Sequence, residues 1–227
     1  VPAYSFRKLN FEKWLLVTFK IDKLPNIHIV ERYLETLSPL GIVNDGQGLD
    51  YFIPEQENFR LEQLPTDFQQ GYIAVILAGT YFTKRLPASK YLPLLQNKNY
   101  QFILLGGNEE QATAERIVST CGSNVISYCG QLSINQSASL VQQARLVISN
   151  DTGLMHIAAA FRKKILSVWG NTVPQLGMHP YLPADGSRML EVNGLECRPC
   201  SKLGKNECPK KHFRCMNDIS EMSLVNW

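Results

Sequence analysis

From residue 72 onward the chain alternates short apolar runs with segments of helical period. The runs are 72–78 (YIAVILA), 101–105 (QFILL), 124–127 (NVIS), 146–149 (LVIS) and 165–169 (ILSVW). Each is short and rich in aliphatic residues, which predicts a strand. Between them, 87–96, 109–120, 133–144 and 153–161 predict helices, with Leu140 and Val141 facing inward in the third. Strands alternating with helices imply right-handed crossovers, and so a parallel sheet with helices on both faces.

The first seventy residues are less regular. An irregular start leads into the apolar run 14–19 (WLLVTF). An amphipathic stretch over 28–40 follows, with Ile29, Tyr33, Leu34, Leu37 and Leu40 near helical spacing and Gly41 as its stop. Residues 44–71 are rich in Asp, Gly, Pro and Gln and hold one extended piece, 51–53. They read as a linker and mark a domain boundary. No internal repeat is present.

Composition narrows the class. The chain has 227 residues, 44% of them hydrophobic and 19% charged, which is ordinary globular usage. No apolar run approaches the roughly 20 residues that span a bilayer. The opening VPAYSFRKLN has neither a starting Met nor the apolar core of a signal peptide, which predicts a cytoplasmic fragment of a longer chain. The net charge of +3 is unevenly spread: residues 196–215 carry +4, leaving −1 for the rest. Such a tail suits an anionic partner or a solvated surface.

Ligands of parallel sheets bind beyond the carboxyl ends of the strands. Four strand exits therefore carry the candidate chemistry: 79–84, 106–110, 149–156 and 170–172. In Ser149-Asn-Asp-Thr-Gly-Leu-Met-His156 a strand ends, Asp151 or Thr152 can cap, Gly153 allows close approach, and a helix begins. Free N–H groups and a partial positive charge at that helix start favour a phosphate. Thr152 and His156, four apart, share a face. Asp151 is better used on sugar hydroxyls or capped amides than beside a diphosphate; a plain N-cap with a core His is the alternative. In Gly79-Thr-Tyr-Phe-Thr-Lys84, Thr80 sits at a close-approach position and Lys84 supplies a cation, although the P-loop spacing is absent. Glu110, after Gly106-Gly107, serves ribose hydroxyls or the dipole of its own helix.

SNDTGLMHIAAA, SVWGNT and GTYFTKRLP together closely resemble glycosyltransferase family nine, the ADP-heptose:lipopolysaccharide heptosyltransferases. HIVERYLETLSPLGI is similar to the segment that ends the family's N-terminal domain. The resemblance implies a GT-B architecture of two Rossmann-like domains. Residues 1–45 would be the last strand and helix of the N-terminal, acceptor-binding domain, and 46–71 the linker. Residues 72–190 would form the Rossmann-like nucleotide-sugar domain, and 191–227 a basic Cys-rich segment. It implies inverting transfer of heptose from ADP-heptose to the lipopolysaccharide core, with no metal needed for the chemistry; the basic tail suits peripheral contact with the inner membrane. Thr80 and Lys84 match diphosphate contacts, Glu110 the ribose-binding acid, and Asp151, Thr152, Gly153 and His156 the group around diphosphate and heptose. The base that deprotonates the acceptor falls in the N-terminal domain, so the chain's own catalytic residue is unknown. Leu86 stands where relatives often carry Trp.

Cys197, Cys200, Cys208 and Cys215, with His212 between the last two, form the other constellation. The spacing is open to a structural zinc, to disulfides or to free thiols. Cys121 and Cys129 read as small buried hydrophobes. Two competing functions are another GT-B enzyme acting on a nucleotide sugar, such as an epimerase, and a zinc ribbon on nucleic acid. The second would need stacking aromatics, and the tail offers only Phe213 and Trp227.

Overall fold

The computed structural model describes residues 3–225, with the side chain of Val225 excepted; Trp227 lies outside the described residues. Helix α1 (Asn10–Phe19) opens the chain, followed by α2 (Ile29–Leu34) and a 3-10 turn over Glu35–Leu40 that Gly41 ends at φ 75°. The short α3 (Thr66–Gln69) precedes the sheet. Strands and helices then alternate: β1 (Ile73–Ile76), α4 (Ala88–Leu95), β2 (Phe102–Leu105), α5 (Gln111–Cys121), β3 (Val125–Ser127), α6 (Ile134–Gln143), β4 (Leu146–Asn150), α7 (Gly153–Ala160) and β5 (Ile165–Trp169). A further strand, β6 (Arg188–Glu191), and the short α8 (Arg214–Asn217) and α9 (Glu221–Val225) complete the order.

All pairings are parallel and the strand order is β3-β2-β1-β4-β5-β6. The order reverses direction between β1 and β4, where Ile76 lies between Leu105 on one side and Ser149 on the other. The α/β parallel sheet read from the sequence is therefore present, in the doubly wound order that leaves a crevice at the reversal point.

Successive residues of each strand point to opposite faces, and both faces are apolar. Val75, Leu104, Ile148 and Val168 pack with Tyr91, Ile117, Phe213 and Met216 on one side. Ala74, Ile76, Ile103, Val147 and Trp169 pack with Leu140, Met155 and Ala158 on the other. Cys121 and Cys129 sit in the first layer as small apolar side chains. The three alanines after Ile157 bring α7 close to the sheet, with Ala158 and Ala159 buried.

The N-terminal expectations change. Residues 14–19 form part of α1, and no strand occurs among the described residues before Ile73. An isolated strand would leave its amides unpaired, whereas a helix pairs them internally. Lys20 ends it in the left-handed region, its N–H bonding the Leu16 carbonyl. In the 28–40 stretch the buried residues are His28 and Arg32, 7% and 3% exposed, while Tyr33 and Leu40 face out. Residues 51–53 join no strand pairing. The stretch 46–71 is not free chain either: Phe59 is hydrogen-bonded to Ser139 and Gln143 on α6, and Leu64 and Phe68 are buried in the second layer. Strand β6 has no sequence signature, because an edge strand whose first two residues are exposed lacks a continuous apolar run. No described helix is long and apolar enough to cross a membrane.

Candidate functional site at the carboxyl edge of the sheet

Asn150, the last residue of β4, organises the reversal point. It is fully buried, and its amide donates to the carbonyls of Leu77 (3.0 Å) and Ala78 (3.2 Å) beyond β1. Its Oδ1 accepts from the Leu86 N–H (3.2 Å), with the Tyr91 hydroxyl at 3.4 Å. One side chain thus holds the β1 and β4 exits together, so the next residue, Asp151, faces the loop that carries Lys84.

Lys84 and Asp151 form a close ion pair, Nζ to Oδ2 2.7 Å, with side-chain exposures of 11% and 6%. The Thr172 hydroxyl, from the β5 exit, donates to the same oxygen at 3.0 Å. Three of the four predicted exits therefore meet at one carboxylate. An ammonium has three donors; the Asp151 contact fixes its position and leaves others for an incoming oxyanion.

Thr152 precedes α7 in extended conformation without capping the helix through its side chain. Asp151 is likewise engaged elsewhere, so the plain N-cap alternative is not what the structure shows. Gly153 is exposed, and a Cβ there would meet nothing within 4 Å. The first amides of α7 thus open onto free space beside the ion pair. His156 stands one turn further on. Burial lowers its pKa, assisted by Lys84 and His179 and opposed by Asp151. That shift favours the neutral imidazole, which can donate or accept a hydrogen bond.

At the β2 exit, Glu110 is turned back onto its own loop. Its Oε2 accepts from the Gly107 N–H at 2.9 Å, while Oε1 lies 3.4 Å from Arg85 Nε without a hydrogen bond. Arg85 also pairs with Glu109 and donates to the Gly79 carbonyl at 2.6 Å. Glu110 therefore braces two loops, with one buried oxygen still free of hydrogen bonds. Thr80, in the β1 exit loop, is exposed.

Sequence reasoning missed the supports. Arg198 of the Cys-rich segment donates to the carbonyls of Gly170 (2.5 Å), Val192 (2.6 Å) and Thr172 (2.9 Å), and pairs with Glu191 at 2.9 Å. Thr83, 1% exposed, exchanges hydrogen bonds with Lys205: its hydroxyl accepts from the Lys205 N–H (2.8 Å), and its own N–H donates to the Lys205 carbonyl (3.1 Å). Gly170 is needed where these loops meet, because a Cβ there would lie 2.5 Å from the Thr83 carbonyl oxygen. A polar residue ending an apolar strand was the available signal for Asn150; Arg198 and Thr83 had none.

Cys197 Sγ approaches His212 Nε2 at 3.9 Å, and burial pushes the Cys215 thiol up to about 12. No group of three or more His, Cys, Asp and Glu among the described residues is placed to hold an ion. Phe213 is buried and stacked on Phe82, so it offers no platform for a base.

A doubly wound parallel sheet with its polar groups gathered at the carboxyl edge of the reversal point defines the class: a Rossmann-like α/β domain of GT-B type. Within that class the chain belongs to glycosyltransferase family 9 (heptosyltransferase), whose model matches residues 3–211. Lipooligosaccharide heptosyltransferase 2 of Haemophilus ducreyi is 35% identical over 151 residues, which are 63% of this chain and 42% of that protein. Lipopolysaccharide heptosyltransferase 2 of Escherichia coli is 24% identical over 163 residues, 64% and 47% of the two chains. Among solved structures, E. coli heptosyltransferase WaaC with ADP superposes with a TM-score of 0.56 at 26% identity, covering 74% of this chain and 52% of that one. The chain spans about half the length of the curated relatives it matches.

Proposed function

We propose that this chain is the donor-binding part of an inverting glycosyltransferase that moves heptose from ADP-heptose to the lipopolysaccharide inner core. The observation that carries the reading is the Lys84–Asp151 pair set against the open start of α7. The relatives' names supply the sugar and acceptor, and the ADP-bound relative supplies the nucleotide.

The chemistry follows from the groups present. Transfer leaves a nucleoside diphosphate, whose growing charge needs fixed donors in place before the bond breaks. Lys84, oriented by Asp151, and the unpaired amides at Gly153 meet that need. His156, neutral and on the same helix face as Thr152, suits a hydrogen bond to phosphate or sugar. Asp151, neutralised by Lys84 and Thr172, can accept from a sugar hydroxyl. Deprotonation of the acceptor is assigned to the part of the family length that this chain does not span.

Titration calorimetry with ADP and ADP-heptose tests the reading. Lys84→Met is expected to weaken ADP by about 1.5–3 kcal/mol, the size of one charge-assisted hydrogen bond. Asp151→Asn, which frees the ammonium but disorders it, is expected to weaken the sugar nucleotide more than ADP. Unchanged affinities in both variants would refute the assignment.

A further inference from the structure

A second cleft lies away from the carboxyl edge. It holds about 730 Å³ and lies between the end of α1 and the Cys-rich segment. That size is within the range of small-molecule sites. Its cations come from distant parts of the chain: Lys20 after α1, Lys205 mid-segment, and Lys210 and Arg214 beyond, with the His212 ring beside them. Against them stands one lining acid, Glu196.

These charges are poorly compensated. Arg214 pairs with Asp218 at 2.8 Å, but no carboxylate pairs with Lys20, Lys205 or Lys210 among the described residues. The Lys20 ammonium is fixed by the carbonyls of Val17 and Pro199, both at 2.7 Å, and burial lowers its pKa. Outside the cleft, burial lowers the Lys13 pKa, with Arg32 and Lys202 acting the same way. A concave wall of one sign focuses potential into the cavity.

The cleft also shares a wall with the donor side. Lys205 exchanges backbone and hydroxyl hydrogen bonds with Thr83, the residue before Lys84. A ligand seated on Lys205 is thus one residue removed from the loop carrying the donor's cation.

We propose that this cleft binds a saccharide bearing two or more phosphate or carboxylate groups, the charged portion of the acceptor. The ligand's identity rests on the function proposed above; the cleft's affinity for oxyanions does not. The concavity favours a discrete ligand over a flat lipid surface.

Inorganic tripolyphosphate is the probe, titrated calorimetrically into the 227-residue chain. Lys205→Glu/Lys210→Glu is expected to weaken binding at least about tenfold, as the loss of two charge-assisted contacts requires. Lys202→Glu/Lys211→Glu changes net charge equally outside the cleft lining and is expected to have a much smaller effect. Lys84→Met is expected to leave this binding event in place. Equal weakening by the two double variants would overturn the proposal, because net charge alone would then explain binding. Lysine-dependent retention on phosphatidic acid vesicles without tripolyphosphate binding would overturn it in favour of a lipid surface. Failure of ADP binding with cleft binding intact would instead overturn only the donor assignment.

Discussion

The sheet and the Cys-rich segment are built in opposite ways, and the candidate site lies where they meet. The sheet is organised by apolar burial: every residue of β1, β2, β4 and β5 is buried. The segment after β6 has little regular structure and is tied down by polar side chains, chiefly Arg198 and Thr83, bonding to backbone. From one side the strands deliver Asp151 and the Gly170 loop to the edge. From the other, the segment clamps the Gly170 and Thr83 loops into register. Positioning Lys84 against Asp151 therefore draws on both kinds of force, and each can be broken separately.

The largest expected effect is on the apolar side. Trp169 is fully buried, with its indole N–H donating to Ser167 at 3.0 Å. Trp169→Ala should cost about 3–5 kcal/mol through the cavity it leaves. Denaturant unfolding should show the loss. A cost below the range for one methylene would show that this layer repacks freely.

Arg198→Met is the counterpart in the Cys-rich segment. It removes a guanidinium that is 6% exposed, frees Glu191 and strands the carbonyls of Gly170 and Thr172. A loss of about 3 kcal/mol is expected, as for other broken buried pairs. Unlike Trp169→Ala, it should also weaken ADP binding in protein that remains folded, because the Thr172 loop loosens. Normal ADP affinity would mean that the strands alone place the loop.

A third polar tie joins the N-terminal arm to the body. His28 Nε2 donates to the His179 carbonyl at 2.8 Å, while Nδ1 accepts from the Val30 N–H at 3.2 Å, so the ring is held neutral. Burial is the main cause that lowers its pKa to about 4 from 6.5; the hydrogen bond to the His179 carbonyl opposes the shift, and the charges of His179, His156 and Arg32 add to it. Between those values the unfolded chain binds more protons than the folded one. Stability should be complete above pH 6.5 and fall as pH drops toward 4, by up to ~3 kcal/mol. His28→Gln should flatten much of that slope in denaturant titrations across the window. An unchanged slope would remove His28 from the account.

The difference between the two regions also explains what could be read in advance. Strands such as 102–105 and 146–149 are unbroken aliphatic runs because both their faces are covered, and their exits follow from the topology. Lys84 and Gly153 were identifiable because phosphate chemistry demands a cation and free amides at such exits, and Asp151 because sugar hydroxyls or capped amides need an acceptor. Asp151's partners were not, since nothing in spacing tells that Lys84 and Thr172 converge on one oxygen. Glu110 shows the same limit: its residue type suits ribose, yet its oxygens contact Gly107 and Arg85. Residues 14–19 misled because an apolar run fits either element until its neighbours are known. Arg198 looked like one more charge in a basic tail, and only its backbone acceptors reveal that it is buried.

Thr83→Val offers the finest cut between the two forces. The substitution keeps shape and removes the hydroxyl that bonds Lys205 N–H and carbonyl, while the Thr83 N–H to Lys205 carbonyl bond at 3.1 Å survives. Since the Lys205 amide loses its partner at a half-buried position, about 1 kcal/mol of stability should go. The apolar layers are untouched, so any drop in ADP affinity must come from freedom gained by Lys84 next door. That drop should be smaller than for Lys84→Met, because the ammonium remains and Asp151 still holds it. If Thr83→Val weakened ADP as strongly as Lys84→Met, the Cys-rich segment, and not Asp151, would be what orients the lysine.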